Sequence, residues 1–291
     1  MITYREILEK EYAEFAGTKY AVAVNSGTSA LHLSLVALGI GKGDEVIVPD
    51  FTMVACGYAV AYTGAKVVTV DCGDDLNIDV SKIEEKITDK TRAIMAVHIY
   101  GRLCDMKTIA KIAKKYNLFV IEDGCEAQGA TDSKYSDISC FSFYKNKIIH
   151  AEEGGIICTN NKMIADKISY LKNMAFSKNH DYYHTDIGYN YRIPESQAKM
   201  ALDSLRNYHN EDIRRRKIEK NFYGDLNEKH DAVWVLDILC KDENERNKLV
   251  STIPNTRYFF KPLSTMPMFK QKVGKNALRV SKLGMYYCID N

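Results

Sequence analysis

The sequence predicts an α/β fold, a mostly parallel central sheet with helices on both faces, and two patterns carry that prediction. Between about residues 20 and 160, short β-branched runs alternate with helical patterns, as stacked strand–helix–strand units require. From residue 161 to 230 helical periodicity dominates, and a short mixed segment closes the chain.

Met1-Ile-Thr-Tyr-Arg-Glu6 leads into a charged amphipathic helix, with no signal peptide and no apolar run of membrane length. The run Tyr20–Asn25 reads as a strand. It meets a turn of small residues, Ser26-Gly27-Thr28-Ser29, and then an apolar helical pattern. Backbone N–H groups at such a helix start point outward, where a phosphate is held well. The same residues also suit an ordinary N-cap. Further strands are expected at Glu45–Pro49, Ala65–Asp71, Ala93–His98, Phe119–Asp123 and Gly155–Thr159. In this class ligands sit beyond the carboxyl ends of the strands. The turn after Asn25, Asp123 and the Ser142–Lys147 segment all fall there.

The helical region breaks at Asp181-Tyr-Tyr-His184 and at Asp186–Pro194. Val233–Cys240, the charged Asp242–Leu249 stretch and Thr256–Phe260 then suggest a small α/β unit. The expected division is a large domain, residues 1–205, and a small C-terminal domain, residues 206–291.

Composition narrows the function classes. The 291 residues are 46% hydrophobic, enough for a sizeable core, and 40 basic against 38 acidic residues leave a net charge of +2. That balance recruits neither nucleic acid nor a membrane surface. Arg214-Arg215-Arg216 reads as a solvated helix face. The eight cysteines are dispersed without a Cys-x-x-Cys pair, mostly in apolar runs, which suggests reduced, buried thiols, a cytoplasmic location and no metal site.

Three groups have the chemistry of a pyridoxal phosphate (PLP) site: the anion cradle in Asn25–Leu31, a carboxylate and an amine. Asp123 ends an apolar strand, where burial is costly without a cationic partner such as a pyridinium N–H. An Asp capping the next helix is the alternative. Glu126 shares a face with Asp123 if a helix begins there, which directs it to the ring's phenolic oxygen; it also suits a helix's first turn. Lys145 and Lys147 flank Asn146 in an apolar, aromatic stretch, and spacing does not choose between them.

A resemblance follows from Asn25-Ser-Gly-Thr-Ser-Ala-Leu31, Pro49-Asp-Phe-Thr52, His98-Ile-Tyr-Gly101, Ile121-Glu-Asp-Gly-Cys-Glu-Ala-Gln-Gly-Ala130, Ser142-Phe-Tyr-Lys-Asn-Lys-Ile-Ile149 and Gly188-Tyr-Asn-Tyr-Arg-Ile-Pro-Glu-Ser-Gln-Ala198. In that order they resemble the DegT/DnrJ-type sugar aminotransferases, from about residue 9 to 284. The resemblance implies the PLP-dependent transferase type I (aspartate aminotransferase-like) fold and PLP as cofactor. It implies Lys147, not Lys145, as the Schiff-base residue, Asp123 as partner of the pyridine nitrogen and Glu126 at the ring hydroxyl. Gly27, Thr28 and Ser142 match phosphate contacts. Asn190 matches a residue reaching the neighbouring subunit's phosphate, which implies a homodimer with shared active sites. Family members with histidine at the lysine position are dehydratases, so Lys147 favours amino transfer.

Asn146-Lys-Ile-Ile149, Glu126 and Thr256–Pro267 most resemble members that aminate C4 of a GDP-linked 4-keto-6-deoxy sugar with L-glutamate, in polysaccharide biosynthesis. Arg257 is then the expected substrate-phosphate contact, with bracing of the small domain as its alternative. Three departures stand out. Met53 replaces an aromatic that stacks on the cofactor, a place a thioether can fill. About thirty residues before the first helix are lacking, and the C-terminal unit is short. Two alternatives stand beside this reading: a PLP-dependent sugar dehydratase, which histidine at position 147 would signal, and a non-catalytic regulatory relative, which the trimmed ends and Met53 suggest.

Overall fold

The computed structural model describes residues 2–177, 179, 182–224 and 230–290. Asp181, part of one expected break, lies outside them. Helix α1 (Tyr4–Phe15) starts on a capping box in which Thr3 and Glu6 satisfy each other's backbone N–H, and it buries Leu8, Tyr12 and Ala13. The chain continues through β1 (Tyr20–Val24), α2 (Gly27–Ala37), β2 (Glu45–Pro49), α3 (Val54–Tyr62), β3 (Lys66–Val70), β4 (Thr91–Val97), α4 (Met106–Tyr116), β5 (Phe119–Asp123), β6 (Ile138–Ser142) and β7 (Gly155–Thr159). Helices α5 (Lys162–Leu171), α6 (Glu195–Arg206) and α7 (Tyr208–Tyr223) follow. Then come β8 (Val235–Leu239), α8 (Glu243–Thr252), β9 (Thr256–Tyr258), α9 (Lys275–Leu283) and β10 (Gly284–Cys288).

Among the described residues the strands form two sheets. The larger has the order β1-β7-β6-β5-β4-β2-β3. Its pairs from β3 across to β6 are parallel, and β7 runs antiparallel to both β6 and β1. The sheet is covered on both faces, so its strands are apolar almost throughout rather than alternating. Neighbours on one strand face opposite cores: Val46 and Val48 join the main cluster with α2 and α3, while Ile47 joins the cluster around α4. Helices α1 and α6 share another cluster with Ala23, Phe141 and Ile156. Reversal of β7 brings its first residue, Gly155, to the carboxyl end of β6. The connection between them, which carries Lys147, therefore lies at that same edge.

The smaller sheet, β8-β10-β9, is antiparallel. The two sheets nevertheless share a core: Trp234, Phe259 and Tyr286 cluster with Phe51, Val97 and Tyr100. At the junction Tyr100 adopts a left-handed backbone (φ 53°), a strained state for a residue with a side chain. Gly101 follows at φ +83°, and a Cβ there would overlap the carbonyl of Ala232, so only glycine fits.

Two expectations change. Arg215 is not solvated but 0% exposed; its guanidinium donates to Glu211 (2.6 Å) and to the Trp234 carbonyl (3.0 Å), anchoring the start of β8. The segment after Asp123 forms turns rather than a helix. Its first N–H groups are claimed elsewhere, Gly124 by the Cys140 carbonyl (2.9 Å) and Cys125 by the Asp123 carboxylate (3.0 Å). All eight cysteines are free thiols, with Cys125 and Cys288 partly exposed and the others buried.

Candidate active site

A cavity of about 380 Å3 opens at the carboxyl edge of the larger sheet, within the size range of small-molecule sites. Gly27, Thr28, Met53, Asp123, Glu126, Ser142, Lys147 and Arg257 all line it. Lys145 does not line it, and its residue is exposed. Asn190 does not line it either. It is exposed beside Asn25 at the end of β1, where its carbonyl accepts from Asn25 Nδ2 (3.5 Å) and its backbone pairs with Asn173.

Gly27 is the first residue of α2, and Ser26 caps the helix by accepting from the Ser29 N–H (3.0 Å). A Cβ on Gly27 would lie 2.8 Å from Ser142 Cβ and 3.2 Å from both Ser142 Oγ and Cys125 Sγ. Its absence opens a notch between a helix N-terminus and a serine hydroxyl, which suits a phosphate. Ser142 is held at the end of β6, where its carbonyl accepts from Gln128 Nε2 (3.1 Å) and its hydroxyl from the Tyr144 N–H (3.2 Å).

Asp123 is 5% exposed. Its Oδ1 accepts from the Cys125 N–H (3.0 Å) and its Oδ2 from the Cys56 thiol (3.2 Å), with no lysine or arginine bonded to it in the described contacts. On the opposite face of β5, Glu122 is buried against His98 (2.8 Å) and Ser139 (2.6 Å). His98 Nδ1 accepts from the Cys104 N–H, so Nε2 carries the proton that Glu122 receives. This pair fixes the ends of β4 and β5 behind the cavity.

Glu126 accepts from the Tyr100 N–H (2.8 Å). Burial pushes its carboxyl up to about 7, opposed by Lys147 and by that N–H, and Asp123 adds to the rise. Lys147 is 8% exposed, and its Nζ lies 3.7 Å from the centre of the Trp234 ring. Trp234 also donates Nε1–H to the Asn146 carbonyl (2.8 Å), fixing the backbone beside the lysine. Met53 caps α3 through a contact of its sulfur with the Ala55 N–H (3.1 Å) and is 45% exposed at the mouth.

Trp234, Tyr144, Phe260 and Tyr286 were not foreseen as lining residues. The one usable signal was that Trp234 is the chain's single tryptophan. The donor set fits PLP: a phosphate notch, a buried carboxylate and a sheltered amine line the same cavity. Among the described residues no group of His, Cys, Asp or Glu is arranged to hold a metal ion, and no helix is long and apolar enough to cross a membrane.

The chain is 40% identical over 295 residues to GDP-perosamine synthase of Escherichia coli O157:H7, covering 94% of this chain and 81% of that protein. It is 46% identical over 203 residues to GDP-perosamine synthase of Caulobacter vibrioides, covering 68% of this chain and 55% of that protein. Among solved structures, S. venezuelae DesV in complex with a ketimine intermediate superposes with a TM-score of 0.90 at 28% identity, covering 99% of this chain and 84% of DesV. NtdA from Bacillus subtilis with bound cofactor PMP gives 0.85 at 28% identity, covering 99% and 73%. A family model matches residues 3–289, and the chain belongs to the DegT/DnrJ/EryC1/StrS aminotransferase family, PLP-dependent enzymes of the aspartate aminotransferase fold.

Proposed function

We propose that this aminotransferase moves an amino group from L-glutamate to a GDP-linked 4-keto-6-deoxy sugar, the reaction type of GDP-perosamine synthase. The observation that carries the proposal is one cavity lined together by a buried Lys147, by Asp123 and Glu126, and by Trp234, Arg257 and Tyr286. Similarity to GDP-perosamine synthases supports the nucleotide.

When bound, PLP supplies an electron sink and carries the amino group between the two substrates. Gly27, Thr28 and Ser142 hold its phosphate. Asp123 accepts the pyridinium N–H and keeps the ring electron-poor. Glu126, with a carboxyl near neutrality, meets the ring hydroxyl, and Met53 packs its thioether at the mouth. Lys147 would hold the cofactor's aldehyde, and its Nζ would take the proton from the substrate carbon as base and return it as acid. The Trp234 ring beside Nζ limits the water that reaches it. Arg257 pairs with a substrate phosphate, and Asn190 reaches the phosphate in a partner subunit of a homodimer.

The test is a screen of GDP-, UDP- and dTDP-linked 4-keto-6-deoxy sugars with 15N-glutamate, read by mass. The expected product is a 15N-labelled GDP-amino sugar. Faster turnover of a UDP- or dTDP-linked ketosugar would overturn the nucleotide assignment, and deoxygenated product without label would indicate a dehydratase.

A further inference from the structure

The carboxylate of Asp123 is posed by a residue outside the cavity. Cys56 stands in the first turn of α3, is 0% exposed and is not among the lining residues. Its thiol donates to Asp123 Oδ2 (3.2 Å), and its sulfur lies 3.3 Å from the hydroxyl of Thr52, itself 1% exposed. Thr52, Cys56 and Asp123 thus form a buried chain that runs from the start of α3 to the end of β5. Burial, reinforced by the Asp123 charge, keeps Cys56 a thiol, so it donates rather than repels.

Without this contact only Oδ1 is held, by the Cys125 N–H, and the carboxylate is free to rotate about its Cβ–Cγ bond. With both oxygens engaged, the remaining lone pairs have fixed directions. A thiol is also a weaker donor than a hydroxyl, so it orients the carboxylate while withdrawing little of its charge. We propose that Cys56 is a positioning residue that sets the pose of Asp123 toward the cofactor nitrogen. The proposal rests on the reading of Asp123 as that nitrogen's partner.

Cys56→Ala and Cys56→Ser change volume almost equally and differ in the donor, so the pair isolates the hydrogen bond. The readouts are PLP affinity of the apoprotein and the pH titration of the bound cofactor's visible band. Cys56→Ala should weaken PLP binding about five- to tenfold, the loss of one modest hydrogen bond, and shift the titration. Cys56→Ser should return to within about threefold of the parent. In an Asp123→Asn background the Ala effect should disappear. If Cys56→Ala does not fold, Cys56→Val fills the site without a donor and replaces it. Equal behaviour of the Ser and donor-less variants, or an undiminished effect in the Asp123→Asn background, would overturn the role of Cys56. Asp123→Asn with unchanged PLP affinity and band would instead remove the reading of Asp123 on which the role depends.

Discussion

Gly27→Ala tests the phosphate notch with the smallest possible addition. The new Cβ would sit 2.8 Å from Ser142 Cβ, whereas carbon atoms in contact rest at roughly 3.5–4.0 Å. Either Ser142 or the start of α2 must therefore retreat by roughly 0.7–1.2 Å. Ser142 has little room to do so, tied as it is to Gln128 and paired with Gly155 across β6 and β7. Overpacking of this kind costs about 1–3 kcal/mol, and the higher helix propensity of alanine returns up to about 1 kcal/mol. Thermal melting of the apoprotein should therefore fall by only a few degrees. PLP affinity should suffer more. Displacement of the Ser142 hydroxyl and filling of the notch remove at least one hydrogen bond to an anion, worth about 1.5–3 kcal/mol, or roughly ten- to a hundredfold in Kd. Titration of the apoprotein with PLP, followed by visible absorbance, gives the number. A Kd within about threefold of the parent would show that the notch does not hold the phosphate.

Borohydride reduction of the PLP-loaded protein followed by peptide mapping should place the pyridoxyl mass on Lys147, and a label on the exposed Lys145 would refute the assignment. Arg257→Lys, which loses the bidentate fork, should raise KM for the nucleotide sugar about tenfold with the glutamate half-reaction nearly unchanged; equal damage to both would mark a structural arginine. Inactive Lys147→Ala and Asn190→Ala subunits, once mixed, should regain some activity if sites are shared across a dimer, and none despite proven exchange and strong inactivation by each change would argue against sharing. Burial works against the His230 proton, yet hydrogen bonds to Asp237 (2.7 Å) and Glu219 (2.5 Å) outweigh it and raise its pKa, with the Arg102 charge opposing them. That stability is complete below the histidine's unfolded pKa of about 6.5 and is lost as pH rises through the folded value. Melting temperature should accordingly decline above neutrality, and His230→Gln should flatten the decline.

Much of the larger sheet was legible because its strands are buried on both faces and stand out as short apolar runs between helical patterns. The expected strand over Phe119–Asp123 and that over Gly155–Thr159 coincide with β5 and β7. Convergence at the carboxyl edge was equally legible, since it follows from strand direction alone. What escaped detection depends on contacts distant in sequence. Arg215 carries the same charge pattern as its solvated neighbours, and only the Trp234 carbonyl, 19 residues on, distinguishes it. The turn after Asp123 looks helical locally until Cys140 on β6 claims the Gly124 N–H. Spacing left Lys145 and Lys147 equivalent, whereas the fold exposes one and buries the other against an aromatic ring 87 residues further along the chain.

The aromatic core shared by the two sheets constrains how such an enzyme can be re-engineered. Tyr100, from the larger sheet's edge, packs on Phe259, Phe260, Trp234 and Tyr286 and accepts from the Phe260 N–H (3.3 Å) through its hydroxyl. The part of the cavity lining formed by Trp234, Phe260 and Tyr286 is thus half of an interlocked surface rather than a detachable module. A chimera that imports the C-terminal unit of a relative to change sugar preference must import the matching Phe51 and Tyr100 environment as well. Grafts confined to the exposed face of β9 leave that surface intact and are the more promising route to altered specificity.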